Sequence, residues 1–269
     1  MTKIIHKFIL IWSKVDILEL ISRYLWTKKF YDKFNYIKKA IDNPEIMRKF
    51  KNSEFLPEKY GFNLDERVVE YPWVLSRIPR GEKKLLDAGS ALNFKVILGS
   101  LCFKDKEITL VGLTPEKERF FQENLFHVFG DIRNLSFESG YFDHIVCIST
   151  LEHIGMDNIL YAKDQKYREN NSADFIRAIF ELKRVLKKGG SLFITLPFGK
   201  YQNHKWFQQF DLFCIGQILK SFSPEKFQIS YYKYSNKDGW NISNENDCKD
   251  VEYLMGITAQ AVACLELVK

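Results

Sequence analysis

The chain has 269 residues, of which 46% are hydrophobic and 15% aromatic, and its formal net charge is +6. This composition is typical of a globular protein with one large core, and the modest positive charge favours an anionic ligand without requiring nucleic acid. The five cysteines form neither a CxxC pair nor a zinc-type spacing, which argues against a disulfide framework and a structural metal and fits a reducing cytoplasm.

Residues 1–64 are predicted to form a helical extension or cap. Apolar side chains recur at helical spacing from Ile11 to Leu25, but charged residues interrupt them, so the stretch falls short of the roughly 20 apolar residues of a membrane-spanning helix. We predict a helix packed on its own domain or on a dimer partner, with binding to a membrane surface as the alternative. Residues 65–269 are predicted to form the second unit.

Five apolar runs after residue 65 predict strands separated mostly by helices. They lie at Leu85–Leu86, 108–113 ("ITLVGL"), 126–129, 145–149 and 191–196 ("SLFITL"). Strand-helix alternation predicts a mostly parallel sheet covered on both faces. Such a sheet binds ligands beyond the carboxyl ends of its strands, where the strand order reverses.

The second half of the chain carries one clear helix and two further strands. The helix is predicted to begin near Ser172 as N-cap and to end in "KKGG", with Gly189 as a left-handed cap. The runs "FQISYYKY" and "AVACLELV" have no helical pattern between them. They predict an antiparallel hairpin that completes the sheet.

Five motifs occur in an order and spacing that resemble class I S-adenosylmethionine (SAM)-dependent methyltransferases: "LLDAGSALNF", "ITLVGLTPE", "GDIRNLSF", "FDHIVCISTLEHIG" and "LKRVLKKGGSLFITLPFG". The resemblance covers about residues 65–269. It implies an α/β, Rossmann-like fold with a mostly parallel seven-stranded sheet, helices on both faces, a terminal antiparallel hairpin and an N-terminal helical extension. It also implies SAM as cofactor and S-adenosyl-L-homocysteine (SAH) as product. "ERVVEYPWVLSRI" followed by "STLEHIGMDN" is similar to a bacterial subgroup that methylates surface-polysaccharide sugars.

The loop after the first strand is the first candidate cofactor site. The GxGxG turn of the family reads "GSALN" here, and the resemblance assigns Gly89, Ser90 and Asn93 to the cofactor. The turn can survive because alanine is nearly as small as glycine and Asn tolerates left-handed angles, and amides at the start of the following helix can face a carboxylate. Asp87, by resemblance, orders this loop near the methionine moiety. A turn without a ligand is the alternative.

Thr114 departs from the family pattern at the end of the second strand. There the family carries an acidic residue that bonds both ribose hydroxyls, whereas a threonine hydroxyl makes one such bond. Glu116 or a water can substitute, and we expect a weakened affinity for the nucleoside. Thr114 and Pro115 also form a good helix start, as N-cap and first helical residue.

Further cofactor contacts follow from the resemblance. Asp131 matches the aspartate that contacts the adenine amino group, with Ile132 against the ring; a turn or N-cap aspartate is the alternative. Glu70 is placed to bind the ammonium of SAM, although a solvated helix carboxylate is nearly as good an interpretation. Ser149 and Thr150, where the fourth strand ends, are assigned to the cofactor as well.

His153 is the first candidate for the catalytic base, and Glu152 is the second. Methyl transfer from a sulfonium needs alignment, a dry site and, for a hydroxyl acceptor, a base, but no metal. A neutral imidazole is available near pH 7. The alternative is that His153 merely ties the loop to the backbone.

The acceptor is predicted to contact two loops. The loop at 157–171 is long and polar, as suits a lid or acceptor wall, and it carries Tyr161. Tyr201, His204 and Trp206 lie in the loop after the fifth strand. Aromatic side chains here can stack on a sugar or base, and ordinary packing is the alternative.

Together these features predict a cytoplasmic SAM-dependent O-methyltransferase that acts on a sugar or nucleotide-activated sugar for bacterial capsule or lipopolysaccharide, with no nucleic-acid partner. A homo-oligomer is compatible with the sequence. The alternatives are an inactive methyltransferase fold that serves as a scaffold subunit, and a methyltransferase of another small acceptor. An NAD-dependent oxidoreductase lacks its glycines and its acidic ribose ligand here and does not explain the later motifs.

Overall fold

The computed structural model describes residues 30–115, 123–254 and 258–269. The helices are α1 (30–41), α2 (Pro44–Lys51), α3 (Arg67–Arg77), α4 (Lys95–Leu98), α5 (Ile159–Ala162), α6 (Phe175–Val185), α7 (Leu212–Phe222) and α8 (Glu245–Cys248). The strands are β1 (Lys84–Ala88), β2 (Glu107–Gly112), β3 (Leu125–Phe129), β4 (Phe142–Ile148), β5 (Leu186–Pro197), β6 (Gln202–Asn203), β7 (Gln208–Gln209), β8 (Lys226–Ser235), β9 (Gly239–Ser243) and β10 (Ala261–Val268). The predicted helix at residues 11–25, together with Glu116, lies outside the described residues.

The main sheet has eight strands in the order β3-β2-β1-β4-β5-β10-β8-β9. Strands β1 to β5 are parallel, and β10 runs antiparallel to both β5 and β8. The predicted α/β fold with a mostly parallel sheet and an antiparallel end is therefore confirmed. All five predicted parallel strands are present, and each extends beyond the apolar run that predicted it or matches it closely.

The end of the sheet differs from the predicted hairpin. Strands β8 and β10 do pair, but β9 and α8 lie between them in the chain, and β8 forms its hairpin with β9 through the turn before Gly239. This extra strand makes eight strands instead of seven. The sequence signal was weak because β9, "GWNIS", is short and has only two buried residues, Gly239 and Trp240.

Alternate residues of the central strands enter two separate apolar cores. In β1, Leu85 packs with the helices of one face and Leu86 with those of the other; in β4, Val146 and Cys147 divide in the same way. This alternation is the two-residue period of a strand buried on both faces. One core includes side chains of α1, α2 and α3, and the other includes those of α6 and α7.

Residues 30–64 share the first of these cores. Phe34, Ile37 and Phe50 are buried against it, and the backbone N–H of Trp240 donates to the carbonyl of Tyr60 at 2.8 Å. Arg77 Nη1 donates to the carbonyl of Phe50 at 2.8 Å, which joins α2 to α3. The described part of the N-terminal segment therefore packs on the sheet domain; the boundary at residue 65 stays a prediction.

Helix α6 is shorter than predicted at both ends. It starts at Phe175, with Asp174 and not Ser172 in the N-cap position, and it ends at Val185. Gly189 has φ +75° but lies within β5, so the prediction that it caps the helix is wrong. Leu186 pairs with Phe142 of β4, and this pairing ends the helix before the lysines.

The strand order reverses at β1. The chain moves outward from β1 to β2 and β3 and then returns to place β4 on the other side of β1. The loops after β1 and β4 therefore diverge and leave a crevice at the carboxyl ends of these strands.

Candidate functional site

A cavity of about 910 Å³ occupies this crevice. It is lined by the loops that follow all of the first four strands, together with residues of α1, α3 and α5. Its volume lies in the range of about 300–1,000 Å³ that is usual for small-molecule sites. A cavity of ligand size thus lies at the predicted edge of the sheet.

Nine of the predicted site residues line this cavity: Gly89, Ser90, Thr114, Asp131, Ile132, Ser149, Thr150, His153 and Tyr161. Seven do not line it: Glu70, Asp87, Asn93, Glu152, Tyr201, His204 and Trp206. The structure thus brings together four motifs that are up to about sixty residues apart in the chain. Their roles toward a ligand stay predictions.

The turn after β1 depends on Gly89 and Ser90. Gly89 has φ +124°, and a Cβ added there would lie 2.1 Å from Oγ1 of Thr150. Ser90, at φ +57°, takes the left-handed conformation that the sequence assigned to Asn93. Asp87 is buried and its Oδ2 accepts the N–H of Leu92 at 2.7 Å, which fixes the loop.

The helix that follows this turn is shorter than expected. It is α4, which has four residues and no side-chain cap. A helix this short contributes little dipole, and the expected contact between its first amides and a carboxylate stays a prediction. Gly89, Ser90 and Ala91, in the turn itself, line the cavity.

Glu70 lies behind the cavity wall, not in it. Its carboxylate has no exposed surface and accepts three side-chain hydrogen bonds: from Ser149 Oγ at 2.6 Å, Thr195 Oγ1 at 2.8 Å and Arg67 Nη1 at 3.0 Å. These bonds compensate for the burial of the charge. The structure assigns Glu70 the position of a support beneath the cavity, and its predicted contact with an ammonium group stays untested.

Arg67 lines the cavity and was missed by the sequence analysis. Burial opposes its charge, but the neighbouring Glu70, Tyr71 and Glu66 hold the pKa of its guanidinium above the ordinary value. Its side chain is 28% exposed. The signal was the spacing of Arg67 and Glu70, three residues apart on one helix, which forms an ion pair on one face.

His153 faces the cavity with one ring nitrogen held by the backbone. Its Nδ1 lies 2.8 Å from the carbonyl oxygen of Trp206, so Nδ1 carries the proton and Nε2 keeps a lone pair. Burial lowers the pKa of His153 to about 4; the Trp206 carbonyl opposes this and the charge of Arg67 adds to it. The imidazole is therefore neutral at pH 7.

Glu152 is buried next to His153 in the chain but does not line the cavity. Burial raises the pKa of its carboxyl to about 8, so it carries a proton at neutral pH. Its Oε2 has no hydrogen-bond partner in the described part of the chain. The two candidate bases therefore occupy different surroundings, and only His153 has access to a ligand in the cavity.

This difference predicts how the stability of the protein changes with pH. The folded-state pKa of Glu152 is raised from the ordinary 4.5 to about 8, so the folded state retains a proton that the unfolded chain loses. The contribution of Glu152 to stability should therefore be full below about pH 4.5 and fall as the pH rises toward 8. Glu152→Gln should flatten this fall in urea unfolding at pH 5 to 8.5. Part of the decrease in stability with pH should remain in this variant, because burial also raises the pKa of Glu66.

The exposed Glu138 provides the control for this prediction. Glu138→Gln should leave the pH dependence of unfolding as it is in the wild type. An unchanged slope in Glu152→Gln as well would contradict the assignment of a protonated Glu152.

The predicted acceptor residues divide into one that lines the cavity and three that do not. Tyr161 lines it, with its ring 5.1 Å from that of His153. Trp206 does not line the cavity, and its ring stacks on that of His153, with ring centroids 5.5 Å apart. Tyr201 donates to Gln208 at 3.3 Å, and His204 stacks on Phe207 at 4.4 Å, with its Nε2 buried.

A group of aromatic side chains forms the end of the cavity next to α1. Phe34 and Phe94 lie 4.4 Å apart, and Tyr71 lines the same end while its hydroxyl donates to the carbonyl of Ala91 at 2.7 Å. Lys33 is held there by Asp65 at 2.8 Å. The sequence shows that the segment around α1 is rich in lysine and aromatic residues. It does not show that this segment packs against the turn after β1.

The chain resembles known methyltransferases over its central part. Residues 88–194 match the family described as a methyltransferase domain. This range contains the turn after β1, Asp131 and His153. This match confirms the prediction of a methyltransferase. No curated protein sequence is significantly similar to the chain.

Solved structures show similarity at low identity. The YcgJ protein of Bacillus subtilis is 13% identical, with 74% of this chain and 97% of that chain covered and a TM-score of 0.46. A SAM-dependent methyltransferase of Thermotoga maritima, a possible histamine N-methyltransferase, is 14% identical, with 88% and 100% covered and a TM-score of 0.44. The 1,6-didemethyltoxoflavin-N1-methyltransferase of Burkholderia thailandensis, solved with SAH, is 14% identical, with 70% and 72% covered and a TM-score of 0.44.

Two further findings concern metal binding and membrane-spanning helices. Within residues 30–115, 123–254 and 258–269, no group of three or more His, Cys, Asp or Glu side chains is placed to bind a metal. In the same part of the chain, every helix is too short or too polar to cross a bilayer.

Proposed function

We propose that this methyltransferase transfers the methyl group of SAM to a hydroxyl of a sugar or nucleotide-activated sugar, for bacterial capsule or lipopolysaccharide biosynthesis in the cytoplasm. The observation that carries the hydroxyl assignment is His153, a neutral imidazole that lines the cavity and has its proton fixed on Nδ1, so that Nε2 keeps its lone pair. A neutral hydroxyl acceptor requires a base of this kind, because its proton must leave as the oxygen attacks.

The cavity residues fit SAM. Ile132 offers an apolar wall for a purine, and Asp131, beside it, offers a carboxylate for an exocyclic amine. Thr114 provides one hydroxyl for the ribose, and the turn at Gly89 and Ser90 brings backbone close to the remaining part of the ligand. SAM supplies a methyl group on a positively charged sulfur, which leaves as the neutral thioether SAH.

The chain's own residues then act on the acceptor. His153 Nε2 takes the hydroxyl proton while the oxygen forms its bond to the methyl carbon, and the Trp206 carbonyl stabilises the imidazolium through Nδ1–H. Tyr161 and Phe34 present rings on which the apolar face of a sugar can stack. The buried Glu70 and Glu152 support this site without facing it.

Incubating the protein with SAM and a panel of nucleotide-activated sugars tests this proposal. A mass gain of about 14 Da on one member, one methylene in place of a proton, is the expected result. The same panel with free sugars, and with amine acceptors of similar size, separates a sugar O-methyltransferase from a methyltransferase of another small acceptor. Methylation of the amines alone would exclude the proposed substrate class.

A scaffold without catalysis is the second candidate, favoured by Thr114 in the place of the acidic ribose ligand. Isothermal titration with SAM and SAH separates the two. Heat of binding and a thermal shift support the enzyme. Their absence at millimolar ligand supports the scaffold.

Asp131 gives a prediction for cofactor affinity. Asp131→Ala removes the carboxylate that is proposed to accept from the adenine amino group, and we expect the dissociation constant of SAH to rise about tenfold, as for the loss of one charged hydrogen bond. Asp250→Ala is a control, because Asp250 is exposed and lies outside the cavity lining. Titration calorimetry of both variants measures the change; equal affinities would contradict the role of Asp131.

A further inference from the structure

Arg133 makes contacts that cofactor binding alone does not explain. Its Nε donates to Asp131 Oδ1 and Oδ2 at 3.0 and 2.9 Å, and Nη2 donates to Asp131 Oδ2 at 2.5 Å and to Glu169 Oε1 at 2.7 Å. Nη1 donates to Glu169 Oε2 at 2.9 Å and to Asp174 Oδ2 at 2.6 Å. All five N–H groups of an arginine are thereby used.

The three carboxylates belong to three different parts of the site. Asp131 follows β3 and lines the cavity, whereas Asp174 occupies the N-cap position of α6, which packs in the core. Glu169 lies in the polar segment at 157–171, which contains α5 and precedes α6. Arg133 therefore joins the adenine end of the cavity, the loop and the core of the domain.

The same loop forms the acceptor end of the cavity. Its first part carries Tyr161, which lines the cavity beside His153. Its two ends are held together, since the N–H of Asn158 donates to the carbonyl of Tyr167 at 3.0 Å and Asp157 pairs with Arg168. Glu169 directly follows Arg168 in the chain, so only a short, internally bonded segment separates it from Tyr161.

Electrostatics makes Arg133 necessary for this arrangement. Burial disfavours the charge of Asp131, but the hydrogen bonds from Arg133 lower the pKa of its carboxyl, so it remains ionised. Without the guanidinium, three carboxylates would repel one another at close range in a site where Arg133 is only 13% exposed. A lysine supplies three donors from one point and cannot bind two carboxylates in a bidentate manner.

We infer that Arg133 is a positioning residue that couples recognition of the adenine at Asp131 to the placement of the acceptor loop at 157–171. The inference rests on the proposed function, because it takes Asp131 as the adenine contact and Tyr161 as part of the acceptor site. A ligand that engages Asp131 orients Arg133, and Arg133 in turn holds Glu169 and the loop. Coupling of this kind is reciprocal, so weakening the loop contact must weaken cofactor binding.

Glu169→Gln tests the coupling without touching the cavity. The amide keeps the size of the side chain but loses the charge, and Glu169 does not line the cavity. SAH is expected to slow amide hydrogen exchange across residues 157–171 in the wild type. In Glu169→Gln that slowing should disappear, and the dissociation constant of SAH should rise about fivefold or more.

Arg177→Gln is the matched control. Arg177 also contacts Asp174, at 3.4 Å, but it is exposed, and in the described residues no hydrogen bond joins it to Glu169 or Asp131. Its charge acts on Asp131 only through space, as the last of the causes that lower the pKa of that carboxyl. Its SAH affinity and its SAH-dependent exchange should equal those of the wild type. Arg133→Lys should behave as Glu169→Gln does, with thermal unfolding measured for each variant to show that it is folded.

The possible outcomes separate the two proposals. Wild-type affinity and wild-type protection of 157–171 in Glu169→Gln would overturn the coupling while leaving the proposed function intact. Failure of the wild-type protein to bind SAH at all would overturn the proposed function and this inference with it. Loss of protection in Arg177→Gln to the same extent would also overturn it, because general loosening of α6 would then explain the effect.

Discussion

Replacing His153 by alanine is expected to lower the turnover number by about 10²-fold or more while leaving the affinity for SAH within about twofold. A positioned base contributes about 10²–10⁴-fold to proton transfer. Of the two candidate bases, His153 is the one that lines the cavity. Cofactor affinity should hold because the proposed adenine and ribose contacts, Asp131 and Thr114, are untouched. Single-turnover rates and titration calorimetry measure the two quantities separately.

His153→Gln and His204→Ala are the controls. A glutamine amide can still donate to the Trp206 carbonyl but cannot accept the acceptor's proton, so this variant should be as slow as the alanine variant. His204 is a histidine outside the cavity lining, and its replacement should leave turnover near that of the wild type. Near-wild-type turnover in both His153 variants would show that His153 is not the base. If the turnover of Glu152→Gln were also near that of the wild type, His204 would become the next candidate for the base.

The acid limb of the rate profile adds a test on the unmodified protein. His153 must be neutral to accept a proton, and burial lowers its pKa to about 4. The value of kcat/KM should therefore rise with pH up to about 4 and be flat with respect to this group at neutral pH. An acid limb centred near the ordinary pKa of histidine, about 6.5, would contradict the buried environment described for it.

Gly89→Ala is expected to have the largest effect on the fold of the site. An alanine there would sit at φ +124°, and its Cβ would lie 2.1 Å from Oγ1 and 2.7 Å from Cγ2 of Thr150. Backbone strain of about 1–3 kcal/mol adds to overpacking of about 1–3 kcal/mol, so the free energy of unfolding should fall by several kcal/mol. The turn that faces the cavity should shift, and SAH binding should be lost.

Gly130→Ala is the matched control, because Gly130 lines the same cavity but an added Cβ meets no atom within 4 Å. Urea unfolding of this variant should agree with the wild type to within about 0.5 kcal/mol. The double variant Gly89→Ala/Thr150→Gly removes the clash and keeps the strain, so it should recover part of the loss. Full stability in Gly89→Ala alone would show that the turn can adopt another conformation.

Local patterns predicted the elements of this fold well. The apolar runs at β1 to β5 and the helical spacing of α6 follow from side-chain periodicity, which depends on neighbours in the chain. The predictions failed where contacts with residues distant in the chain determine the local structure. The pairing of Leu186 with Phe142 ends α6 before Gly189, and β9 forms only because β8 offers it an edge.

The candidate site was predicted in part for the same reason. Gly89, Asp131 and His153 carry chemistry that their motifs reveal, and all three line the cavity. Glu70 was predicted to contact the cofactor, but Arg67, on the same helix, is the residue that lines the cavity. Ser149, just after β4, and Thr195, in β5, donate hydrogen bonds to the buried Glu70 carboxylate. No spacing along the chain reveals such contacts.

The amino-acid sequence by itself determined the strand-helix alternation, the place of the crevice and the residue types within it, because these depend on periodicity and on chain order. The tertiary structure alone decided which nitrogen of His153 is free, that Glu152 holds a proton, and that Arg133 binds three carboxylates. Burial and hydrogen bonding set those states, and both arise only when segments distant in the chain come together.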